Sequence, residues 1–194
     1  MHNFSCKCGA IRGHILDGSP SNRVRCYCSD CQAFGRYFGP EAGVLDPQGG
    51  TEVIQVSQSR LRFDSGLEQL ACLRLSPRGL LRWYARCCNT PLGNSLPNPK
   101  ASLIGLVHSC MDHASLDRDF GGRVADVNTS SALGDSRPRQ SGLARTIGRF
   151  LVMMSKDRLS GRYRRSPLFT GDGRPVVEPH VLDRTRVDAL KRSP

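Results

Sequence analysis

Aromatic residues make up only 6% of the 194-residue chain, with one tryptophan, so a core must rest mainly on leucine, valine and isoleucine. Lysine is scarce as well: it stands at positions 7, 100, 156 and 191, and arginine carries the rest of the cationic charge. No apolar run approaches the roughly eighteen residues a membrane-spanning helix needs, so no membrane partner is expected. The first residues, M-H-N-F-S-C, lack the basic segment and apolar run of a secretory signal, and a cytoplasmic protein is expected. There is no repeat with a period of 20–50 residues, no P-loop, no dinucleotide-binding glycine fingerprint and no G-x-S-x-G elbow. Nothing here points to P-loop nucleotide hydrolysis, nicotinamide redox chemistry or a serine-elbow hydrolase.

What is present begins with charge. Lys and Arg number 28 against 17 Asp and Glu, a net charge of +11. Residues 1–114 hold twelve basic and eight acidic groups and the remainder sixteen and nine, so the tail is the more basic part. That balance admits nucleic acid, acidic surfaces and anionic small molecules as partners without choosing among them. With 38% hydrophobic and 23% charged residues, the composition is globular and the length suits one domain with an appendage.

The first 114 residues read as short strands separated by turns. A-I-R-G-H-I-L (10–16), T-E-V-I-Q-V-S (51–57) and S-R-L-R-F-D (59–64) have strand character, the last placing Leu61 and Phe63 opposite Arg60 and Arg62. E-Q-L-A-C-L-R-L (68–75) and G-L-L-R-W-Y (79–84) flank the turn signal S-P-R-G (76–79), and S-L-I-G-L-V-H (102–108) closes the series. This spacing predicts a mainly β fold of sandwich or barrel-like type. Residues 115–142, rich in Gly, Ser, Asp and Arg, read as a flexible connector. A helix is expected over about 143–158, with Ile147, Leu151 and Met154 on one side and Arg145, Arg149, Lys156 and Arg158 on its polar side. A loop-rich tail with a short helix from about Asp183 to Lys191 completes a basic extension, 115–194, that decorates the β core.

Nine cysteines are present, and seven fall in three tight groups: Cys6 and Cys8; Cys26, Cys28 and Cys31; Cys87 and Cys88. In a reducing compartment such clusters point to metal ligation rather than disulfides. Zinc favours four tetrahedral ligands, with thiolate a preferred donor. Residues i and i+2 of a strand share a face, so Cys6/Cys8 and Cys26/Cys28 could each chelate, and C-S-D-C (28–31) is a CxxC turn. R-C-Y-C-S-D-C (25–31) is then either a structural staple awaiting a distant ligand or a three-thiolate site left open for chemistry. Cys72, in a strand-like run, and Cys110, after one, read as small buried apolar residues.

The order C-K-C-G-A (6–10), C-Y-C-S-D-C-Q (26–32) and C-N-T-P-L (88–92) resembles the glutathione-dependent formaldehyde-activating enzyme family, which includes centromere protein V, with V-H-S-C (107–110) a weaker echo. The resemblance covers about residues 4–114 and implies a β-tent fold. It implies one closed four-sulfur structural zinc site built from Cys6, Cys8 and the third group, and a second zinc on Cys26, Cys28 and Cys31 with one position open. It also implies carbon–sulfur lyase or thiol-adduct chemistry, with glutathione as the thiol and a small aldehyde as its partner. Two departures stand out. Ala85 occupies the place of the family's first cysteine in the third motif, and Asn89 replaces its glycine. Cys87 can supply the missing sulfur if a turn or bulge at 86–88 lets adjacent side chains converge; otherwise water or His2 would have to serve.

His108 reads as a hydrogen-bonded histidine at the core edge, against a ligand or general-base role, and His14, His113 and His180 show no ligand spacing. Asp30 is an acid–base candidate, a hydrogen-bonding support for the ligands, or an exposed turn residue. Arg162, Arg164 and Arg165 form either a solvated face or an anion contact. The alternative to an enzyme is a zinc-stabilised binding module whose basic tail recruits an acidic or nucleic-acid partner.

Overall fold

The computed structural model describes residues 1–18 and 20–192; the last two residues of the expected extension lie outside them. Strands β1 (His2–Ser5), β2 (Arg12–Ile15) and β3 (Asn22–Cys26) precede helix α1 (Ser29–Tyr37). Then come β4 (Thr51–Ser57), β5 (Leu61–Ser65), β6 (Leu70–Arg74), β7 (Leu81–Ala85), β8 (Thr90–Ser95) and β9 (Leu103–Val107). The remainder holds α2 (Leu116–Phe120), β10 (Ala125–Val127), α3 (Leu143–Leu159), β11 (His180–Val181) and α4 (Arg184–Arg192). The expected strand segments correspond to β2, β4, β5, β6, β7 and β9, so the mainly β reading holds.

The strands form an eight-stranded sheet, in the order β10-β3-β4-β9-β8-β7-β6-β11, and a three-stranded sheet, β1-β2-β5. Alternation sends side chains to two different cores. On β4, Ile54 and Val56 enter the core shared with the small sheet, where Phe4, Ile15 and Leu61 meet them, while Val53 faces the other way. On β7, Leu81 and Trp83 enter that first core, and the Trp83 indole N–H donates to Ser95 Oγ at 2.9 Å. The second core lies on the opposite face of the large sheet. There Val24, Val53, Leu73 and Val107 pack against Ala33, Phe34 and Phe38 of α1 and against Val187 and Leu190 of α4.

Three expectations need correction. Helix α1 was not anticipated: residues 28–31 form the beginning of a helix rather than an isolated turn. Residues 115–142 are not a plain connector, because they hold α2 and β10, and β10 pairs in parallel with β3. Their glycine- and serine-rich composition hides a three-residue strand whose pairing partner lies a hundred residues away. Helix α3 forms where expected but faces the other way. Thr146, Met153 and Asp157 are buried, with Asp157 accepting a hydrogen bond from the Ser57 hydroxyl, whereas Ile147 and Leu151 are exposed. The inward face is the one that carries Thr146, Met153 and Asp157.

The last third of the chain is built into the fold. β10 and β11 are the two edge strands of the large sheet, both parallel to their neighbours. Leu168 and Phe169 lie in the first core and Leu182 joins the second. Leu168 is completely buried, and Leu168→Ala is expected to destabilise the protein by about 2–5 kcal/mol. Denaturant unfolding measures this, and an unchanged midpoint would show the tail to be dispensable to the core.

Candidate metal centres

The first centre is made by two turns. Residues 6–9 close on themselves through Gly9 N–H to the Cys6 carbonyl at 3.0 Å, with Gly9 at φ +74°. That left-handed backbone costs glycine little, which accounts for the glycine in C-K-C-G. Cys87 and Cys88 sit in the turn at 86–89 that joins β7 to β8, with a bulge at Trp83/Tyr84 below it. Off the regular strand, adjacent side chains need not point oppositely. Asn89 takes φ +54°, and asparagine is among the few non-glycine residues that visit this region readily. Ala85 is wholly buried in β7 and contributes nothing to the centre.

The four sulfurs converge. Cys6 Sγ lies 3.5 Å from Cys8 Sγ and 3.8 Å from Cys87 Sγ; Cys8 to Cys87 is 3.4 Å and Cys87 to Cys88 is 3.8 Å. A disulfide would need about 2.05 Å, whereas four thiolates held about 2.3 Å from one ion stand about 3.8 Å apart. The group could therefore hold a metal ion. Supporting contacts are in place: Ile11 N–H donates to Cys6 Sγ at 3.2 Å, and Thr90 Oγ1 lies 3.0 Å from Cys88 Sγ while accepting from Lys7 N–H. Burial would raise the Cys88 thiol, but hydrogen bonds from the Thr90 hydroxyl and the Cys8 backbone bring it down to about 6. His2 plays no part; its Nδ1 lies 2.8 Å from Asp119.

The second centre is made where β3 gives way to α1. Cys26 ends the strand, Cys28 is the extended residue that caps the helix, and Cys31 lies in the first turn with its N–H on the Cys28 carbonyl at 3.0 Å. One helical turn separates residues three apart by a small angle, so Cys28 and Cys31 share a face. The helix N-terminus also favours thiolate there. The three sulfurs lie within 4.8 Å of one another and could hold a metal ion; among the described residues no further cysteine, histidine or carboxylate joins them. Asn128 Nδ2 donates to Cys26 Sγ at 3.2 Å from a left-handed turn just past β10. Hydrogen bonds from Cys28 and Cys31, with Asn128 adding, lower the Cys26 thiol to about 2. Donating to that sulfur pushes Cys28 and Cys31 up.

A cleft of about 380 Å³ adjoins this second centre, with Cys26, Cys28 and Cys31 in its wall and Val53, Leu103 and Phe150 among its apolar lining. Arg82 and Asn94 line it too. Arg82 is 1% exposed. Its guanidinium donates to Asn94 Oδ1 at 3.0 Å and stacks 5.0 Å from the centroid of the Phe34 ring. Among the described residues no carboxylate lies within ion-pair distance of it. Taking a cation out of water costs several kcal/mol. A stacking contact returns about 0.5–2 kcal/mol and a hydrogen bond to a charged group about 1.5–3 kcal/mol. Arg82 thus has neutral partners and no ion-pair partner among the described residues.

Sequence reading missed Arg82 and Asn128. Alternation in L-R-W-Y (81–84) assigns Arg82 to a solvent face, and only α1 packing over that face buries it. Asn128 lies in the stretch read as connector. The other candidates fall elsewhere. His108 Nδ1 lies 3.1 Å from the Glu52 carbonyl, and burial lowers its pKa. His14 pairs with Asp64, His113 packs edge-on against His108, and His180 lies on β11. Asp30 forms an ion pair with Lys191 of α4 at 2.6 Å. Arg162, Arg164 and Arg165 are exposed on a 3-10 turn. Cys72 and Cys110 are buried, and burial raises both thiols to about 12.

A family model described as a family of unknown function, DUF6151, matches residues 1–180. No curated protein matches the chain. Among solved structures, the chain is similar to a Rhodobacter sphaeroides protein known from a crystal structure. The two are 23% identical, with 64% of this chain and 99% of that one covered and a TM-score of 0.42, a likeness too slight to argue from.

Two outcomes test the centres. Cys87→Ser and Cys26→Ser should each lower the metal content of the purified protein by about one ion per chain, while Cys72→Ala leaves it unchanged, as read by elemental analysis. Asn89→Val should cost roughly 1–2 kcal/mol by thermal unfolding, because a β-branched residue resists left-handed backbone, whereas Asn89→Gly should not.

Proposed function

We propose that this chain, which belongs to the DUF6151 family of unknown function, is a zinc-binding protein with a β-tent core that joins a small thiol to a small aldehyde at its three-cysteine centre. The observation that carries this reading is the contrast between the two centres. One gathers four sulfurs, a complete tetrahedral set; the other gathers three beside a cleft. Closed four-ligand sites are structural and three-ligand sites leave a position for chemistry. All-thiolate donor sets favour zinc among the common divalent ions. The motif order shared with the formaldehyde-activating family supports the same division of labour and points to glutathione as the thiol.

Bound zinc would supply a Lewis acid that lowers the pKa of a thiol and polarises a carbonyl. The chain's own residues do the rest. Cys26, Cys28 and Cys31 would hold the ion, and the Asn128 amide together with the α1 N-terminus would offset the negative charge of the sulfurs. Val53, Leu103 and Phe150 give the cleft an apolar wall, which would strengthen electrostatic contacts made against it. The reaction balances without an oxidant: a sulfur–carbon bond forms, and the proton leaving sulfur ends on the former carbonyl oxygen. Run backwards, the same step is a carbon–sulfur lyase reaction.

Purified protein should hold two zinc ions per chain and speed adduct formation between glutathione and formaldehyde. Cys28→Ser should abolish the acceleration while the four-sulfur centre keeps its ion. Finding at most one ion, with Cys26→Ser leaving the content unchanged, would sink the proposal. Two ions with no acceleration would instead leave a binding module with two structural metals.

A further inference from the structure

We infer that Arg82 is the counter-ion for a carboxylate on the thiol ligand, so that the cleft discriminates against a neutral thiol of the same size. This deepens the reading above and rests on it for the thiol; the carboxylate subsite stands on Arg82 alone. The guanidinium is almost fully buried, has a neutral hydrogen-bond partner in Asn94, and lies in the same cleft as the three cysteines. The carboxylate among the cleft's lining residues, Asp30, is already paired with Lys191 at 2.6 Å. Gln55, Ser95 and Asn128 are polar but neutral, and the three cysteine sulfurs, the other anionic groups of the cleft, make no hydrogen bond to the guanidinium among the described residues.

A buried cation whose protein contacts are all neutral is at its most stable when a ligand brings the missing anion. In an apolar cleft that attraction is only weakly screened. Arginine is the residue suited to it, since its planar fork matches a carboxylate and keeps its charge at any working pH. The one buried cation can pair one carboxylate of the ligand, and a space of about 380 Å³ calls for a small molecule.

The test uses the zinc-loaded full chain and two thiols of matched length, 3-mercaptopropionate and 3-mercapto-1-propanol, titrated by calorimetry. The carboxylate should bind at least about tenfold tighter, as expected for a charge-assisted pair out of water. Arg82→Gln should erase the preference. Because removing a buried side chain could disturb folding, Asn94→Asp provides the second variant. It keeps the arginine and its packing but places a carboxylate beside it, and it too should erase the preference. Equal affinities in the unaltered protein, or a preference that survives Asn94→Asp, would overturn the inference. Propionate separates the two readings. Arginine-dependent binding of propionate with no gain from adding a thiol would uphold the carboxylate site and remove the thiol chemistry.

Discussion

The packing of helix α1 against the second face of the eight-stranded sheet is the contact on which the candidate site depends. Ala33 and Phe34 are completely buried there, and Gln32 donates to the carbonyls of Tyr27 and Ser131 at 2.7 Å each. Those contacts fix where the helix begins, and its beginning is where Cys28 and Cys31 meet Cys26. The same helix lays Phe34 over the Arg82 guanidinium, turning what would be a surface arginine into a buried charge. The placing of the candidate ligands and that of the cation therefore share one cause. A shift in the helix would disturb both ends of the cleft together.

The two cysteine groups solve different problems. The four-sulfur group joins the turn after β1, in the small sheet, to the hairpin tip between β7 and β8, in the large one. A metal there would clamp together segments about eighty residues apart, where closing a loop removes the most freedom from the unfolded chain. The three-sulfur group is local in sequence, spanning six residues, and closes no long loop. Its sulfurs instead border a cleft formed by residues from β7, β8, β9, α3 and the turn past β10. The proposed division into one structural and one chemical centre rests on this difference.

The C-terminal third completes this arrangement. β10 and β11 occupy both edges of the large sheet, leaving neither of the antiparallel strands β3 and β6 as an open template for another chain. β10 also carries the backbone into Asn128, whose amide reaches Cys26, and α3 brings Phe150 into the cleft wall. The basic composition that made this segment look like an appendage belongs to its solvent side. Leu168, Phe169, Val187 and Leu190 pack into the cores, while Ile147, Leu151 and Leu159 stay exposed.

Local pattern was enough to identify the strands β4, β6, β7 and β9, the span of α3 and the three cysteine groups, because period-two alternation and ligand spacing are properties of neighbouring residues. The ability of Cys87 and Cys88 to reach one centre was posed by the sequence as a question about a turn, and the 86–89 hairpin tip answers it. Other features depend on partners remote in the chain. Pairing with β3 makes a strand of Ala125–Val127, packing of Thr146, Met153 and Asp157 against the rest of the fold leaves Ile147 and Leu151 facing outward, and α1 lays Phe34 over Arg82. The sequence by itself determined which residues could bind metal and which segments would be strands. Only the tertiary structure decided which arginine lost its solvent, since burial belongs to whatever packs above a residue and not to the residues beside it.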